Sequence, residues 1–508
     1  MKRFIALALS IVLVSGFDAS SNAASAVKPG GKCTKAGLTT ISSGKKFTCV
    51  RSGKSLVWNS GVKVVAQPTK PQVFSDRCEA DQLVPKEWLA VQEWSLQYAH
   101  CARAYRYVAG LAPTEQVSVP LNIGGPLDIA NCKLSDDAPR PWTWATFGNS
   151  YNLYRPTKSA VTQVIPFQFT DLTATTNPRD DYGKYIKFYE DYLRNSSDVP
   201  INPEFRVPEK YFQIGKSSKN YKLLDARTQD PNFIFDVAEA IRGQVDLTGV
   251  DQVLFLYPPT ARYADFGAKG DFGDVRGSIF DGKFLYLQGP IDAGPRVNGT
   301  WSLDPWPTVH ELFGHTMGLD DHFGSESFGG PGEHYMPADS RNAGMGEWGN
   351  MSAIGGDFLV WDKWIVGWVA DSQIKCVSGS QKSSILISPN TTKSALTKAA
   401  VVPLSSSRGL VIESQRSTGY NFKFPKASNG ALVYIVEMKD AAAGNGMPWA
   451  FGEYAQRPAN RPKNVIQNGF ALGDATLKPG ESITVEGVKI TVAQAGDFGD
   501  VIQIEPAS

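Results

Sequence analysis

The sequence predicts an α+β protein of several domains, in which a small β module precedes an α/β domain and an antiparallel β-sandwich. At 508 residues the chain is too long for one ordinary domain. Its 48 glycines and 32 prolines indicate many turns, and 42% hydrophobic against 20% charged residues is the balance of a folded chain. The hydrophobic pattern also changes along the chain, from strands alternating with helices to short alternating strands beyond residue 372.

The first 26 residues have the composition of a signal peptide. Lys2 and Arg3 give a positive start, residues 4–17 form a short apolar run, and residues 24–26 (Ala-Ser-Ala) are a small-residue cleavage site. No later segment has the apolar length of a transmembrane helix. We therefore expect a secreted protein without a transmembrane anchor, whose six cysteines form disulfide bonds.

Residues 27–66 predict a separate small β module. Short alternating runs at residues 46–50 and 56–58 lie close to two cysteines, Cys33 and Cys49. A single disulfide would staple a unit too small to bury a large core. This stretch resembles a short two-cysteine module of exported actinobacterial proteins.

Positive charge is concentrated in this module. Residues 27–63 contain eight Lys or Arg and no Asp or Glu, although the whole chain carries only +1, so the remainder carries −7. This asymmetry favours binding to an anionic polymer of the cell wall or extracellular matrix, and a merely solvated basic face is the alternative. Nucleic acid is not expected as a partner, because the bulk of the chain is acidic and exported.

A linker and a helical region are predicted between the module and the α/β domain. Residues 65–73 read as a short stiff linker, and residues 79–110 carry the mixed apolar face of helices. The pair Cys78 and Cys101 brackets that helical region, and the pair Cys132 and Cys376 flanks the α/β domain, so each pair is a candidate disulfide. Residues 67–140 are a candidate pro-segment.

The α/β domain is predicted over residues 141–372, and the β-sandwich over residues 373–508. The helices of the α/β domain are expected at residues 181–193 and 231–243. Its strands are expected at residues 160–169, 252–257 and 283–288. The strands of the sandwich are expected at residues 384–387, 399–404, 409–414, 431–437, 482–485, 488–493 and 501–504.

The candidate functional residues lie within residues 304–323, where His310, His315 and His322 make up three of the five histidines in the chain. Neutral imidazole is the commonest zinc ligand in proteins. A glutamate beside a ligand histidine, here Glu311, is the usual general base of a zinc hydrolase. The sequence therefore predicts a helix that holds zinc with His310 and His315.

A turn after this helix supplies candidates for a further ligand. Gly318 permits the left-handed conformation that ends a helix. The chain then turns back and brings Asp320, Asp321 or His322 towards the metal.

The spacing of the two histidines predicts an irregular helix. The motif His-Glu-Leu-Phe-Gly-His separates His310 and His315 by five residues, one more than His-Glu-x-x-His. Four residues are offset by roughly 40° around an α-helix and five by roughly 140°, so a regular helix would not aim both rings at one ion. A π-bulge absorbs one inserted residue. We therefore expect a π-bulge here, eased by the backbone freedom of Gly314.

Counted from His315, the pattern His-x-x-Gly-x-x-Asp ends at Asp321 and resembles the extended zinc motif of metzincin-type peptidases. Residues 348–352 (Trp-Gly-Asn-Met-Ser) and 363–368 (Lys-Trp-Ile-Val-Gly-Trp) look like segments of the secreted immune inhibitor A-like metallopeptidases. The resemblance extends over roughly residues 160–440. It implies a metzincin-like catalytic fold, with Asp321 as the third zinc ligand and Met351 as a floor beneath the metal.

The resemblance also implies an activity. The chain is expected to be a secreted zinc-dependent endopeptidase that acts as a monomer on extracellular proteins, with Glu311 as general base. His322, Asp320 and Glu326 are the alternatives to Asp321 as third ligand. The Gly-rich loop at residues 324–348 is expected to shape the substrate cleft and is a candidate Ca2+ site, although it lacks the twelve-residue calcium-loop pattern.

Two alternatives to the peptidase are kept open. In the first, the inserted residue has broken the zinc site, and the chain is a catalytically degenerate homologue that binds cell wall or extracellular matrix. In the second, the zinc site hydrolyses a non-peptide bond, such as one in a cell-wall glycopeptide. The longer spacing is itself compatible with zinc, because His-Glu-x-x-Gly-His resembles the motif of dipeptidyl peptidase III.

Overall fold

The computed structural model divides into two compact units, residues 1–73 and residues 74–508. The signal peptide, the linker at 65–73, the helices at 79–110 and the Cys78–Cys101 pair all fall outside the described residues. The structure describes residues 28–42, 45–63, 116–135, 147, 157–221, 231–258, 279–280, 283–288, 309–319, 322, 344–346, 348–352, 356–421, 424, 426–438, 453–461 and 472–507.

The N-terminal unit contains a small antiparallel sheet. Its second strand is central and pairs with each of the other three. Phe47 and Cys49 are buried, and a disulfide joins Cys33 to Cys49, so the predicted staple is confirmed. The strands are β1 (Thr39–Ser42), β2 (Lys45–Ser52), β3 (Ser55–Trp58) and β4 (Val62–Lys63).

The second unit begins with a mixed sheet. Its strands lie in the order β6-β5-β8-β10-β9, where β9 alone runs antiparallel to its neighbour, and β7 pairs with the far end of β5. All three strands that the sequence predicts are present, and β6, β7 and β9 were not predicted. The strands are β5 (Ser159–Gln168), β6 (Asn202–Arg206), β7 (Phe212–Gln213), β8 (Gln252–Leu256), β9 (Ile279–Phe280) and β10 (Lys283–Gln288).

The two predicted helices, α1 (Pro178–Ser196) and α2 (Pro231–Ile241), cover opposite faces of this sheet. The side chain of Asn177 caps α1 by accepting hydrogen bonds from the next two free backbone N–H groups, each at 3.0 Å. Successive side chains of β5 lie on opposite faces of the sheet, so that Val164 packs with α1 and Ile165 packs with α2. The result is a helix–sheet–helix arrangement.

Two further sheets stack as a β-sandwich, as the sequence predicts. One has the order β11-β13-β14-β15-β16 and the other the order β12-β19-β18-β17, and all pairs are antiparallel except β11 with β13. Their inner faces share one apolar core, in which Val402 and Ile412 of the first sheet meet Ile490 and Ile502 of the second. The strands are β11 (Ile374–Cys376), β12 (Ser383–Ile387), β13 (Ala399–Pro403), β14 (Arg408–Gln415), β15 (Gly430–Glu437), β16 (Glu453–Ala455), β17 (Ser482–Val485), β18 (Val488–Gly496) and β19 (Gly499–Pro506).

The outer face of the first sandwich sheet is covered by a short buried helix, α3 (Val360–Ile365). Trp361 and Trp364 of α3 belong to one apolar cluster with Val411 of β14 and Tyr434 of β15. The hydrophobic core therefore continues across residue 372, from the helix into the sandwich.

Residues 116–135 lie along the sandwich. Asn122 pairs with Ser384 as an isolated bridge, and the N–H of Leu127 donates to the carbonyl of Cys376 at 3.0 Å. A disulfide joins Cys132 to Cys376, which confirms the second predicted pair. Release of this segment with a pro-segment would therefore require reduction of that bond.

The fold class is thus confirmed as α+β, with several β-sheets and two disulfide bonds among the described residues. None of the described helices is long and apolar enough to cross a membrane.

Candidate metal centre

A π-helix carries the predicted zinc motif, His-Glu-Leu-Phe-Gly-His. It spans Val309–Gly314 and continues as a 3-10 turn over His315–Met317. Val309, Leu312 and Phe313 are buried on the α1 side of the mixed sheet. These apolar contacts anchor one side of the helix in the core.

The expanded helix accommodates the inserted residue, so the predicted bulge is confirmed. Hydrogen bonds in a π-helix join residues five apart, which is the sequence separation of His310 and His315. The N–H of Leu319 continues this spacing by donating to the carbonyl of Gly314 at 3.1 Å. Gly318 has a φ of 84° and ends the segment in the left-handed region, as predicted.

Part of the predicted site lies outside the described residues. The structure describes the backbone of Glu311 and His315 but not their side chains, and it describes neither Asp320, nor Asp321, nor Glu326. Most of the loop at residues 324–348, with its candidate Ca2+ site, is also outside. The zinc ligand set therefore stays a prediction.

The half-buried imidazole of His310 has a defined tautomer. Its Nδ1 lies 2.9 Å from the backbone carbonyl oxygen of Asn350. A carbonyl only accepts hydrogen bonds, so Nδ1 carries the proton and donates it. The lone pair of the neutral ring is then on Nε2. A metal-binding histidine characteristically donates its other N–H to a carbonyl or carboxylate, so this arrangement suits a zinc ligand.

Met351 packs directly against the π-helix. A Cβ atom added to Gly314 would lie 2.9 Å from Met351 Cε and closer still to its Sδ, and it would also contact Phe358. Glycine at position 314 is therefore required for the close approach of Met351, in addition to any backbone freedom that it gives to the bulge. Met351 is fully buried and lies against the π-helix at Gly314.

Gly314→Ala should therefore destabilise the protein by about 1–3 kcal/mol, because the added methyl group overpacks a filled core. Urea unfolding measures this change. The double variant Gly314→Ala/Met351→Val should recover part of the loss, since valine lacks the two atoms that clash. Gly183→Ala is the matched control: the same methyl group added within α1 meets nothing within 4 Å. A loss no larger than that of the control would show that Met351 does not constrain position 314.

The Lys363–Trp368 segment has a structural role. The ammonium group of Lys363 lies 2.8 Å from a carboxylate oxygen of Asp357, and both side chains are almost completely buried. The carbonyl of Lys363 accepts the N–H of Trp368 at 2.6 Å, and Gly367 between them has a φ of 82°. This segment therefore ends α3 and contributes a buried ion pair to the core.

His322 lies in a second, fully buried group of ionisable side chains. Its Nε2 donates to Asp362 Oδ1 of α3 at 2.9 Å. Its Nδ1 lies 2.7 Å from Glu453 Oε2 of β16, but out of line with the N–H bond, so this contact is an ion pair rather than an aligned hydrogen bond. The side chains of His322, Asp362 and Glu453 are respectively 2%, 1% and 8% exposed. We call these three residues the His322 cluster.

The electrostatics of the cluster favour a charged imidazole. Burial alone lowers the pKa of His322, but the carboxylates of Asp362 and Glu453 outweigh it and raise the pKa well above its ordinary value. Burial raises the pKa of Glu453, and the positive ring of His322 opposes that rise. The neighbouring Glu413, buried against the N–H of Val360 and the hydroxyl of Tyr434, has its pKa raised to about 7 by burial.

The same three residues are of types that bind metals, and their ligand atoms lie within 4.8 Å of one another. Their arrangement nevertheless favours a proton. Each ring nitrogen of His322 faces a different carboxylate, at 2.9 and 2.7 Å. Atoms that bind one zinc ion at about 2.1 Å in a tetrahedron lie about 3.4 Å apart. Only one nitrogen of a histidine ring can bind that ion, so both carboxylates would have to lie near the same nitrogen. We therefore interpret the cluster as an imidazolium held between two carboxylates.

The sequence did not identify Asp362 or Glu453. Asp362 carries a weak signal, because a charged residue inside the apolar, tryptophan-rich run of α3 requires a buried partner. Glu453 carries none, since it follows His322 by more than a hundred residues in a stretch of ordinary composition. His322, an alternative zinc ligand in the sequence, has these two carboxylates as its partners.

No protein-family model matches the chain, and the curated proteins contain no significant match to it. The assignment of a function therefore depends on the residues and their geometry.

Proposed function

We propose that this chain is a secreted zinc-dependent endopeptidase with His310, His315 and Asp321 as zinc ligands. The observation that carries the proposal is the π-helix at Val309–Gly314, because a bulge at the inserted residue is what allows both histidines to serve one ion. The hydrogen bond from His310 to Asn350 adds support, since it puts the lone pair of the ring on Nε2.

The residues of the chain have distinct roles in this proposal. Zinc bound at this motif would polarise the scissile carbonyl and make the attacking water more acidic. Glu311, the residue after His310, takes a proton from that water and delivers it to the leaving amine. The carbonyl of Asn350 holds the ring of His310 in orientation, and Met351 closes the core side of the motif. Peptide hydrolysis is favoured because this combination is that of the zinc peptidases.

Export of the protein is part of the proposal. The positive and apolar character of residues 1–26 supports it, as do the Cys33–Cys49 and Cys132–Cys376 disulfides. Disulfide bonds persist in oxidising compartments and are rare in reducing ones.

Zinc content tests the ligand set. We expect about one zinc ion per chain in the unmodified protein, and much less in Asp321→Ala, measured by atomic absorption after zinc loading and dialysis. Asp320→Ala is the matched control, because it removes the adjacent carboxylate and should keep the metal.

Other outcomes would revise the proposal in defined ways. Zinc retained in Asp321→Ala would move the third ligand to another carboxylate, and Asp320→Ala or Glu326→Ala would then lose the metal. Absence of zinc from the unmodified protein would overturn the peptidase and favour the degenerate homologue. Release of cell-wall fragments with casein left intact would favour a glycopeptide hydrolase.

We also propose that the N-terminal module binds an anionic polymer of the cell wall or matrix. Six of its cations are exposed, and residues 27–63 contain no carboxylate that would neutralise them. The six are Lys28, Lys32, Lys35, Lys45, Arg51 and Lys54.

Retention on dextran sulfate tests this proposal. The full chain should be retained at low salt and released as salt screens the contact, whereas neutral dextran should not retain it. Replacing Lys32, Lys35, Arg51 and Lys54 by glutamine should abolish retention. The control replaces Lys382 and Lys489 on the sandwich, which already pair with Glu505. Retention that the four replacements leave unchanged would contradict the proposal.

A further inference from the structure

The His322 cluster joins three separate parts of the chain. His322 follows the zinc motif, Asp362 belongs to α3, and Glu453 belongs to β16 at the edge of the first sandwich sheet. Both carboxylates are buried, so neither contact is weakened by solvent as a surface ion pair would be. The ring is therefore held from two directions by elements that are themselves part of the core.

The backbone of His322 is held as firmly as its side chain. Its N–H donates to the carbonyl of Met351 at 2.7 Å, and its carbonyl accepts the N–H of Met345 at 2.8 Å. Gly344 is in turn bonded to Ala455 of β16, whose N–H donates to it at 3.0 Å. Backbone hydrogen bonds therefore connect residue 322 to Met351, which packs against the π-helix. Through Met345 and the adjacent Gly344, they also connect it to Ala455 at the edge of the sandwich.

Residue 322 is next to Asp321, the proposed third zinc ligand. We propose that Glu453 and Asp362 are positioning residues which, through His322, hold residue 322 in place, directly after the proposed ligand Asp321 in the sequence, and thereby support zinc binding. This inference rests on the proposed zinc site. In this proposal the sandwich contributes to zinc binding, because β16 carries Glu453, one of the two carboxylates that contact His322.

Glu453→Gln tests the inference, because it keeps the shape of the side chain and removes its charge. Partners beyond the direct ligands of a metal typically change its affinity by 10–100-fold, so we expect the zinc dissociation constant to rise by about tenfold. It is measured by competition with a chelator. Turnover should fall mainly through kcat, since the role proposed for Glu453 is to support zinc binding and not to bind substrate. Hydrogen exchange at the amides of residues 309–322 should become faster in the metal-free protein.

Asp500→Asn is the matched control. Asp500 is a fully buried carboxylate that pairs with Arg416 at 2.9 Å, but it lies in the second sandwich sheet. Its replacement should lower the stability of the protein without changing zinc affinity or the exchange of residues 309–322. Asp362→Asn is the second test variant, to be used if Glu453→Gln does not fold.

Three results would overturn the inference. Equal effects of Glu453→Gln and Asp500→Asn on exchange and zinc affinity would show a merely structural role. Unchanged zinc affinity in Glu453→Gln would show that the His322 cluster does not act on the zinc ligands. Two zinc ions in the unmodified protein, with one lost in Glu453→Gln, would show that the cluster itself binds metal.

Failure of the proposed function gives a different pattern. The unmodified protein would then bind no zinc, and the exchange comparison alone would decide whether Glu453 holds residues 309–322 in place.

Discussion

Glu311→Gln should lower kcat/KM on a peptide substrate by about 10²–10⁴-fold, the usual contribution of a general base. The amide cannot accept the proton of the attacking water, although it keeps the size of the carboxylate. Zinc content should stay that of the unmodified protein, because Glu311 is not a proposed ligand. The measurement is a fluorogenic peptide assay paired with metal analysis of the same sample.

Glu505→Gln provides the control for this experiment. Glu505 lies on β19 and pairs with Lys382 and Lys489, away from the zinc motif, so its loss should leave activity unchanged. If Glu311→Gln kept full chelator-sensitive proteolysis, Glu311 would not be the general base.

Lys363→Met should destabilise the protein by about 3–5 kcal/mol, the range for removing one partner of a buried ion pair. The carboxylate of Asp357 would then remain in the core without the ammonium group that lies 2.8 Å from it. The amide oxygen of Asn390 would lose the ammonium donor that it accepts at 2.9 Å. Urea unfolding followed by tryptophan fluorescence measures the change, because the surrounding core contains Trp361, Trp364 and Trp368.

The double variant Lys363→Met/Asp357→Asn should be considerably more stable than Lys363→Met alone. Replacing both members of a buried pair avoids an uncompensated charge, and such replacements are often nearly neutral. A loss below about 1 kcal/mol in the single variant, as for a surface pair, would contradict the buried character of this interaction.

Local rules predicted much of this fold. Strands β8, β10 and β15 appear at nearly the predicted bounds, because short hydrophobic runs between turn residues leave few other ways to bury their side chains. Strands β7, β9, β11 and β16 were missed, because two or three residues contain too few side chains for a pattern. Strand β6 was missed because its sequence, Asn-Pro-Glu-Phe-Arg, is mostly polar and contains a proline. Their pairing depends on neighbours that are distant in the sequence.

In the predicted zinc motif, too, some features follow from local rules and others depend on tertiary packing. The five-residue spacing of His310 and His315 is a property of the sequence, and helix geometry requires a bulge there for both histidines to bind one ion. The sequence predicted only one reason for glycine at position 314, its backbone freedom, which is a local property. The second reason, the close approach of Met351, depends on packing. No periodicity in the sequence specifies which side chain will lie against a given glycine.

By itself, the sequence predicted the α+β class and the bulge of the predicted zinc motif, which follow from composition, hydrophobic period and helix geometry. It offered Cys33–Cys49 and Cys132–Cys376 only as candidate pairs, and the structure shows both as disulfide bonds. Only the tertiary structure decided that His322 lies between Asp362 and Glu453. The physical reason is that burial creates this interaction: the two carboxylates attract the ring strongly only after folding has removed them from water.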